Sequence, residues 1–283
     1  MAHLTKFSGH CRYIVTDIDY TFIGRDRQMI QANLDAIRDA QAAGIEVAFA
    51  TGRCMSAIQD WCEKMKLTAP QVVDNGATVY SPVTKKVLDA KVHTVEACRF
   101  WAEGFHNAGF EPVICTPEDY YVCNPDDDVR HQIEVHDEHY VVYDSWDKMM
   151  ADHEARAVKV TGTTGHRIAE IEALSTSLIA EAKRRGIPFS ATYTEKGILV
   201  VTAENVSKMS GVAMAAAQIG CGVEDVAAIG DGDNDADMLA GCGLGIALEN
   251  GTDMAKAAAS HVVGSCDDAG FAQAIRMILE KRV

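Results

Sequence analysis

The stretch CRYIVTDIDYTFIG, residues 11–24, runs from an apolar segment into two aspartates separated by a single residue. Its apolar part, RYIVT at 12–16, predicts a buried strand. An aspartate at the end of a strand is a common turn former, which accounts for one of the two. Two neighbouring carboxylates repel each other unless a positive charge lies between them. The stretch therefore indicates a strand that ends at a site where a cation is held.

The residues that follow alternate between helix and strand patterns. Helical periodicity at 28–43 ends at Gly44, a helix stop signal, and IEVAFATGR at 45–53 predicts a second strand. A helix at 55–66 and a strand at 71–77 complete a βαβαβ order, which favours a parallel sheet covered by helices. The end of the chain repeats this alternation, with predicted strands at 226–231, 244–249 and 261–264 and predicted helices at 207–220, 234–242, 251–260 and 268–281.

The middle of the chain has a different pattern, with many charges and longer helical segments. Residues 83–190 predict an α+β domain inserted into an α/β domain that comprises 1–82 and 191–283. The chain is expected to return to the first domain near TEKGILVVT, residues 194–202. Within the insertion, the predicted strands are 110–115, 139–143, 156–161 and 189–194, and the clearest predicted helices are 94–108 and 165–185.

The composition limits the possible functions. Of the 283 residues, 48% are hydrophobic and 24% charged, which is ordinary for a globular protein. The net charge of −15 disfavours nucleic-acid binding, which needs a basic surface. No apolar run is long enough to span a membrane, and the start of the chain lacks a secretory signal pattern, so we expect a cytoplasmic protein with no membrane partner. No pattern indicates an oligomeric state.

Three of the predicted strands end in residues that can carry chemistry. Asp17, Thr51 and Asp231 follow the apolar segments YIVT, VAFA and VAAIG. Parallel strands end at the same edge of a sheet, and ligands bind outside those carboxyl ends, so these distant residues are expected to converge. Together with Asp19, the carboxylates of Asp17 and Asp231 predict a site for a hard divalent cation, Mg²⁺ in particular.

Other residues of the same region suit phosphate chemistry. The hydroxyl of Thr51 and the backbone N–H of Gly52 stand at a strand-to-helix turn, where an anion is favoured. Lys208 stands at the start of a predicted helix and can neutralise phosphate oxygens. A carboxylate nucleophile that forms an acyl phosphate is an established covalent strategy. Asp19 fits the second group that such a reaction needs, one that protonates the leaving oxygen and then activates water.

Four segments carry a resemblance to a known family. DIDYT (17–21), ATGR (50–53), Lys208 and GDGDNDADML (230–239) resemble, in this order, the four motifs of the haloacid dehalogenase superfamily. More narrowly, the chain resembles the Cof-type phosphatases, whose cap domain of type IIB lies between the second and third motifs. The long stretch between the second motif and Lys208 is ample for such a cap. The resemblance implies a Rossmann-like parallel-sheet core with an inserted α+β cap.

The resemblance also implies a role for each matching carboxylate. Asp17 would be the nucleophile and a Mg²⁺ ligand. Asp19 would be the general acid and base and would lend its backbone carbonyl to the metal. Asp231 would be the main metal ligand of the fourth motif, and Asp235 would support the metal or its waters.

The remaining matches imply contacts with phosphate. Thr51, followed by Gly52, and Lys208 would bind the phosphoryl group, and Asn234 would contact the substrate phosphate. The chain departs from the family pattern at two positions, because Tyr20 and Met209 stand where glycine is common. These departures bear on the shape of the entrance and on the substrate rather than on the type of reaction.

These observations favour a Mg²⁺-dependent phosphomonoester hydrolase that acts on a small phosphorylated metabolite, either a sugar phosphate or a phosphorylated cofactor, through an aspartyl phosphate. A phosphotransferase or phosphomutase with the same chemistry stays open. A receiver-like signalling domain also uses Asp, Thr and Lys at strand ends, but it is small and carries no insertion. A non-catalytic protein that binds a phosphorylated metabolite is disfavoured because every acidic and phosphate-binding position is filled.

Overall fold

A computed structural model of the chain describes residues 10–135 and 139–280. Segment 1–9, on which the expectation about a secretory signal depends, lies outside the described residues. In chain order the described strands are β1 (Tyr13–Thr16), β2 (Glu46–Phe49), β3 (Gln71–Val73), β4 (Thr78–Ser81), β5 (Lys86–Ala90), β6 (Pro112–Cys115), β7 (Tyr120–Val122), β8 (Tyr140–Val142), β9 (Lys159–Thr163), β10 (Ser190–Glu195), β11 (Ile198–Thr202), β12 (Val226–Gly230), β13 (Leu244–Leu248) and β14 (His261–Val263). The described α-helices are α1 (Gln31–Ala42), α2 (Met55–Met65), α3 (Val95–Asn107), α4 (Asp127–Val135), α5 (Trp146–His153), α6 (Ile168–Arg185), α7 (Lys208–Gln218), α8 (Ala236–Gly241), α9 (Asp253–Ala258) and α10 (Gly270–Glu280).

The chain divides into two compact units. The first comprises the residues up to Thr51, then Gln59–Asp89, and the residues from Ser207 on; the second comprises Gly52–Ile58 and Ala90–Val206. The first unit is therefore discontinuous in sequence, and the second is largely an insertion into it. This is the α/β core with an inserted α+β unit that the sequence predicted.

The first unit is built on a five-stranded parallel sheet with the order β14-β13-β12-β1-β2. A parallel bridge between Ala50 and Val72 connects β3 to the end of β2, and β3 also begins a small sheet with the order β3-β4-β5. The chain leaves β1 towards β2 on one side and later adds β12 on the other side, so the strand order reverses beside β1. A crevice at such a reversal, at the carboxyl ends of the strands, is where open α/β sheets bind ligands.

The central strands of this sheet are apolar apart from Thr16 in β1, and both of their faces are covered. Every residue of β1, β12 and β13 is buried. Tyr13, Val15 and Ala228 pack in one hydrophobic cluster with Val212 of α7 and Leu239 of α8. A parallel sheet that is buried on both faces reads in sequence as continuous apolar runs. The strands that end at Asp17 and Asp231 are therefore held by a packed core.

The second unit contains a six-stranded sheet with the order β10-β11-β9-β6-β7-β8. Its strands pair antiparallel except for β7 and β8, which pair parallel. Trp101 and Phe105 of α3 are fully buried in its hydrophobic cluster together with Ile114, Val160 and Leu199 from the sheet. A mixed sheet with helices packed on it is an α+β arrangement, and the predicted fold class is confirmed.

The domain boundaries differ from those predicted at 82/83 and 190/191. The first unit extends to Asp89 because β5 belongs to the sheet that begins with β3, and the second unit extends to Val206 because β10 and β11 pair with β9. The segment 194–202 was expected to carry the return to the core, but most of it is an antiparallel hairpin of the second unit. An apolar strand pattern does not reveal which sheet the strand joins.

Several elements also begin or end elsewhere than predicted. Helix α1 starts at Gln31 rather than 28, because Met29 forms an antiparallel bridge with Ile23 and Ile30 is extended. The predicted elements at 110–115, 139–143, 156–161 and 189–194 correspond to β6, β8, β9 and β10. The elements that were not predicted are β4, β5, β7, β11, α4 and α5. Among the described residues, no helix combines the length and apolar character that a membrane crossing requires.

Candidate active site

Lys208 lies between two carboxylates at the edge of the first unit's sheet. Its Nζ donates to Oδ1 of Asp17 and to Oδ1 of Asp235, both at 2.6 Å. The side chain of Lys208 is only 1% exposed. Asp17 follows β1, and its backbone N–H donates to the carbonyl of Ile229 in β12 at 2.9 Å. The pairing of β1 with β12 thus fixes the position of the carboxylate that the lysine contacts.

A capping box sets the start of helix α7 and so the position of Lys208. The Oγ of Ser207 accepts from the backbone N–H of Ser210 at 3.3 Å, and the Oγ of Ser210 accepts from the N–H of Ser207 at 3.0 Å. Reciprocal bonds of this kind satisfy two backbone donors that a helix otherwise leaves unpaired. Lys208 is the first residue of the helix, so the capping box fixes the backbone from which its long side chain extends.

The buried charges shift one another's pKa values. Burial works against the ammonium of Lys208, but the charges of Asp17 and Asp235 outweigh it and raise the pKa of the lysine above its ordinary value. Burial raises the pKa of Asp17 well above its ordinary value, although Lys208 acts in the opposite direction and Asp235 adds to the rise. The site therefore holds more negative charge than one lysine balances.

Asp231 and Asp235 come from the turn that follows β12. Oδ2 of Asp235 accepts from the backbone N–H groups of Asp231 at 2.9 Å and Gly232 at 2.8 Å, which closes the turn. Oδ1 of Asp231 accepts from the hydroxyl of Thr21 at 2.5 Å. Burial, followed by the negative charge of Asp235, raises the pKa of Asp231 to about 7. An uncompensated carboxylate in this position favours either a proton or a cation.

Three carboxylates are arranged so that they can hold a metal ion. Asp17, Asp231 and Asp235 each offer an oxygen, and these oxygens lie within 4.8 Å of one another. Hard oxygen donors suit Mg²⁺, and with Lys208 the group carries two negative charges in excess, which a divalent cation balances. Oδ2 of Asp235 accepts two backbone hydrogen bonds and its Oδ1 bonds to Lys208, whereas Oδ2 of Asp231 accepts, among the described residues, only one long bond, from Asn250 at 3.4 Å. Asp17 and Asp231 are therefore the better candidates for direct ligands. The residues present fit Mg²⁺.

Asp19 is not one of these three carboxylates. Its side chain is 21% exposed, and its Oδ1 lies 3.9 Å from a guanidinium nitrogen of Arg27. Its charge nevertheless raises the pKa values of Asp17 and Asp231, so it lies within electrostatic reach of both. Tyr20, which follows Asp19, has a φ of 59°, the left-handed region that favours glycine. This backbone requirement explains why glycine is common at that position in the family pattern.

The predicted phosphate residues lie around the same sheet edge, apart from Gly52. Thr51 is buried, and its backbone N–H donates to Val72 at 2.9 Å. The amide of Asn234 donates to Oδ1 of Asn75 at 3.0 Å. Gly52 directly follows Thr51 in the turn before α2, is half-buried, and is grouped with the second unit. The structure brings Asp17, Lys208, Asp231 and Asp235 into one hydrogen-bonded network and connects Thr51 with Asn234 through Asn75.

Three residues at this edge were not singled out from the sequence. Thr21 and Asn250 both contact the carboxylate of Asp231, the latter through Nδ2 at 3.4 Å from Oδ2. The same Nδ2 donates to the carbonyl of Tyr20 at 2.9 Å. Asn75 contacts Asn234. Thr21 lies inside the DIDYT segment, but a side chain that supports another gives no pattern of its own.

Comparison with known proteins assigns the chain to a family. A model of the haloacid dehalogenase-like hydrolases matches residues 14–275. The chloroplastic endoribonuclease YBEY of Arabidopsis thaliana is 28% identical over 286 residues, a match that covers 95% of this chain and 46% of that protein. The chain therefore spans under half the length of that relative.

Two further relatives match along nearly their whole length. The 5-amino-6-(5-phospho-D-ribitylamino)uracil phosphatase YcsE of Bacillus subtilis is 23% identical over 266 residues, which cover 94% of each chain. A solved structure described as a HAD subclass IIB sugar phosphatase is 19% identical, with a TM-score of 0.81, and the match covers 94% of this chain and 98% of that one. The chain is therefore an enzyme of the haloacid dehalogenase-like hydrolase family, as its four motifs predicted.

Proposed function

We propose that this enzyme is a Mg²⁺-dependent phosphatase that hydrolyses the phosphate ester of a small metabolite through an aspartyl phosphate on Asp17. The observation that carries the proposal is the position of Lys208, whose ammonium bonds to Asp17 and Asp235 at 2.6 Å. A lysine in this position orients the attacking carboxylate of Asp17 and neutralises the negative charge on the oxygens of the substrate's phosphoryl group. Phosphoryl transfer depends mostly on such positioning and charge stabilisation.

The residues divide the reaction into two steps. In the first, the carboxylate oxygen of Asp17 that does not bond to Lys208 attacks phosphorus, the ester bond breaks, and Asp19 gives its proton to the leaving alcohol oxygen. In the second, Asp19 takes a proton from water, the hydroxide attacks phosphorus, and inorganic phosphate leaves the restored carboxylate. Thr51 and Lys208 bind the phosphoryl oxygens throughout. Bound Mg²⁺, held by Asp17 and Asp231, supplies further positive charge for these oxygens.

The names of the relatives support a substrate class. One relative is named for a phosphorylated ribityl compound, and one solved structure is described as a sugar phosphatase. Both descriptions refer to the phosphate of a sugar or of a sugar-derived chain. We therefore place the substrate of this enzyme among sugar phosphates and phosphorylated cofactors or their precursors.

The role of Asp17 is tested with p-nitrophenyl phosphate as a generic substrate. Asp17→Asn keeps the size of the side chain and removes the nucleophile, so turnover should fall by at least about 10³-fold with unchanged circular dichroism. Asp19→Ala should also reduce turnover strongly. The control is Asp233→Asn, which changes an exposed carboxylate in the turn after β12 and should leave the rate unchanged. Substantial activity of Asp17→Asn would disprove the assignment of the nucleophile.

The intermediate and the metal have separate tests. Borohydride reduces an acyl phosphate to an alcohol, so treatment of the enzyme during turnover should convert Asp17 to homoserine, which mass spectrometry detects. EDTA should abolish activity and Mg²⁺ should restore it. Release of inorganic phosphate identifies a hydrolase, whereas transfer to an added alcohol or sugar phosphate would identify a phosphotransferase instead.

A further inference from the structure

The turn Asp74–Gly76, between β3 and β4, has an unusual backbone. Its three residues all have positive φ, at 53°, 55° and 93°. Glycine adopts this region readily, but a residue with a side chain does so at a cost, and such residues cluster at functional sites. Gly76 could not be any other residue, because a Cβ there would lie 1.9 Å from the carbonyl oxygen of Ser207.

This turn contacts all three elements that carry the proposed phosphate-binding side chains. The backbone N–H of Asn75 donates to the carbonyl of Thr51 at 2.9 Å. Its side-chain Oδ1 accepts from the amide of Asn234 at 3.0 Å. Gly76 packs against the backbone of Ser207 and Lys208 at the start of α7. The side chain of Asn75 therefore lies among the residues that are proposed to surround the phosphoryl group.

The amide nitrogen of Asn75 is buried with an unused donor. The residue is 7% exposed, and its Nδ2 has no hydrogen-bond partner among the described residues. A buried donor without a partner costs about 1–3 kcal/mol, so native structures rarely keep one without a reason. Because Oδ1 is already occupied by Asn234, the nitrogen is the atom left to meet a ligand. An NH₂ group donates only, so the ligand atom must be an acceptor rather than a cation.

We propose that Asn75 is a phosphate-binding residue whose Nδ2 donates to an oxygen of the phosphoryl group held by Thr51 and Lys208. The inference rests on the proposed function and adds one binding residue to it. A donor from a buried neutral amide binds an anionic oxygen strongly, because hydrogen bonds to charged groups are about twice as strong as neutral ones. The strained turn then has a purpose, since it carries this amide to the phosphate site.

The test compares two variants of Asn75 with a matched control. Asn75→Asp keeps the acceptor for Asn234 and removes the donor, and Asn75→Gly removes the whole amide in a backbone that glycine adopts without strain. Asn205, which is exposed and also has a positive φ of 62°, provides the control Asn205→Asp. Calorimetric titration with inorganic phosphate in the presence of Mg²⁺ measures binding, and p-nitrophenyl phosphate gives KM and kcat separately.

We expect the dissociation constant of inorganic phosphate, and KM with it, to rise by at least about tenfold in both Asn75 variants and to stay unchanged in Asn205→Asp. A purely structural role would lower the melting temperature and leave phosphate affinity unaltered. Phosphate binding of wild-type strength in either Asn75 variant would therefore overturn the inference. If the wild-type enzyme itself bound no phosphate, the proposed function would fail first, so the two failures are distinguishable.

Discussion

Replacing Lys208 with methionine removes the positive charge that lies between two buried carboxylates. Methionine has a similar length and volume, so the substitution leaves no large cavity and isolates the effect of the charge. In the metal-free protein, Asp17 and Asp235 would then face each other with no cation between them. The first unit should lose stability, because a buried charge without a partner is strongly unfavourable.

The size of the loss follows from the contacts of the lysine. Its Nζ makes two hydrogen bonds of 2.6 Å to carboxylates, and the side chain is 1% exposed. A hydrogen bond to a charged group contributes about 1.5–3 kcal/mol, and breaking a buried ion pair costs about 3–5 kcal/mol. We therefore expect Lys208→Met to lower the free energy of unfolding by about 3–5 kcal/mol at pH 7.5 in EDTA. At pH 5 the loss should be smaller, because Asp17 can take up a proton instead.

The measurement is unfolding in urea, monitored by hydrogen exchange in peptides that contain β1 and β12. These peptides report on the first unit alone. Lys256 is half-buried and pairs at 4.0 Å with the exposed carboxylate of Asp253, so Lys256→Met serves as the control and should cost less than about 1 kcal/mol. The double variant Lys208→Met with Asp235→Asn should recover part of the stability, since one of the unpaired charges is then absent. A loss below about 1 kcal/mol for Lys208→Met would refute the electrostatic account of the site.

Two further predictions concern the metal and the turn. Because the pKa of Asp231 is raised to about 7, the metal-free fold holds its proton more tightly than the unfolded chain does, and stability should fall as pH rises from about 4 to about 7. Thermal melting in EDTA should show this fall, and Mg²⁺ should raise the melting temperature more at pH 7.5 than at pH 5. An equal rise at both pH values would contradict the prediction. Gly76→Ala forces a Cβ against Ser207 at positive φ, and should cost at least about 2 kcal/mol in urea unfolding; a smaller loss would show that helix α7 can shift.

The sequence could predict which residues meet at the sheet edge because parallel strands impose that meeting. Once the apolar runs before Asp17 and Asp231 are assigned to one parallel sheet, their carboxylates must lie at the same edge. The placement of Lys208 there depended mainly on the other motifs around it, since a lysine at the start of a helix is usually solvated. Its near-complete burial results from tertiary packing, which no local pattern encodes.

Other features of the structure depend on contacts that a single sequence does not show. Residues 198–202 were expected to lie near the return to the core, but they form a strand that pairs with β9, which is a long-range choice. The contact of Asn250 with Asp231 joins residues 19 positions apart through a side-chain amide that has no preferred spacing. Asn75 gave the weakest signal, because a DNG segment by itself predicts only a turn.

The strongly acidic character of the chain is compatible with an anionic substrate only because of the local charges at the sheet edge. A net charge of −15 repels phosphate esters at long range. At the site, three carboxylates and one lysine leave two negative charges in excess, so the metal-free site should also repel a phosphate dianion. A divalent cation offsets these two charges, and the donors of Lys208, Thr51 and the proposed Asn75 then face the phosphate with much less repulsion. Phosphate affinity should therefore depend on Mg²⁺, which makes the acidic cluster a condition for anion binding rather than an obstacle to it.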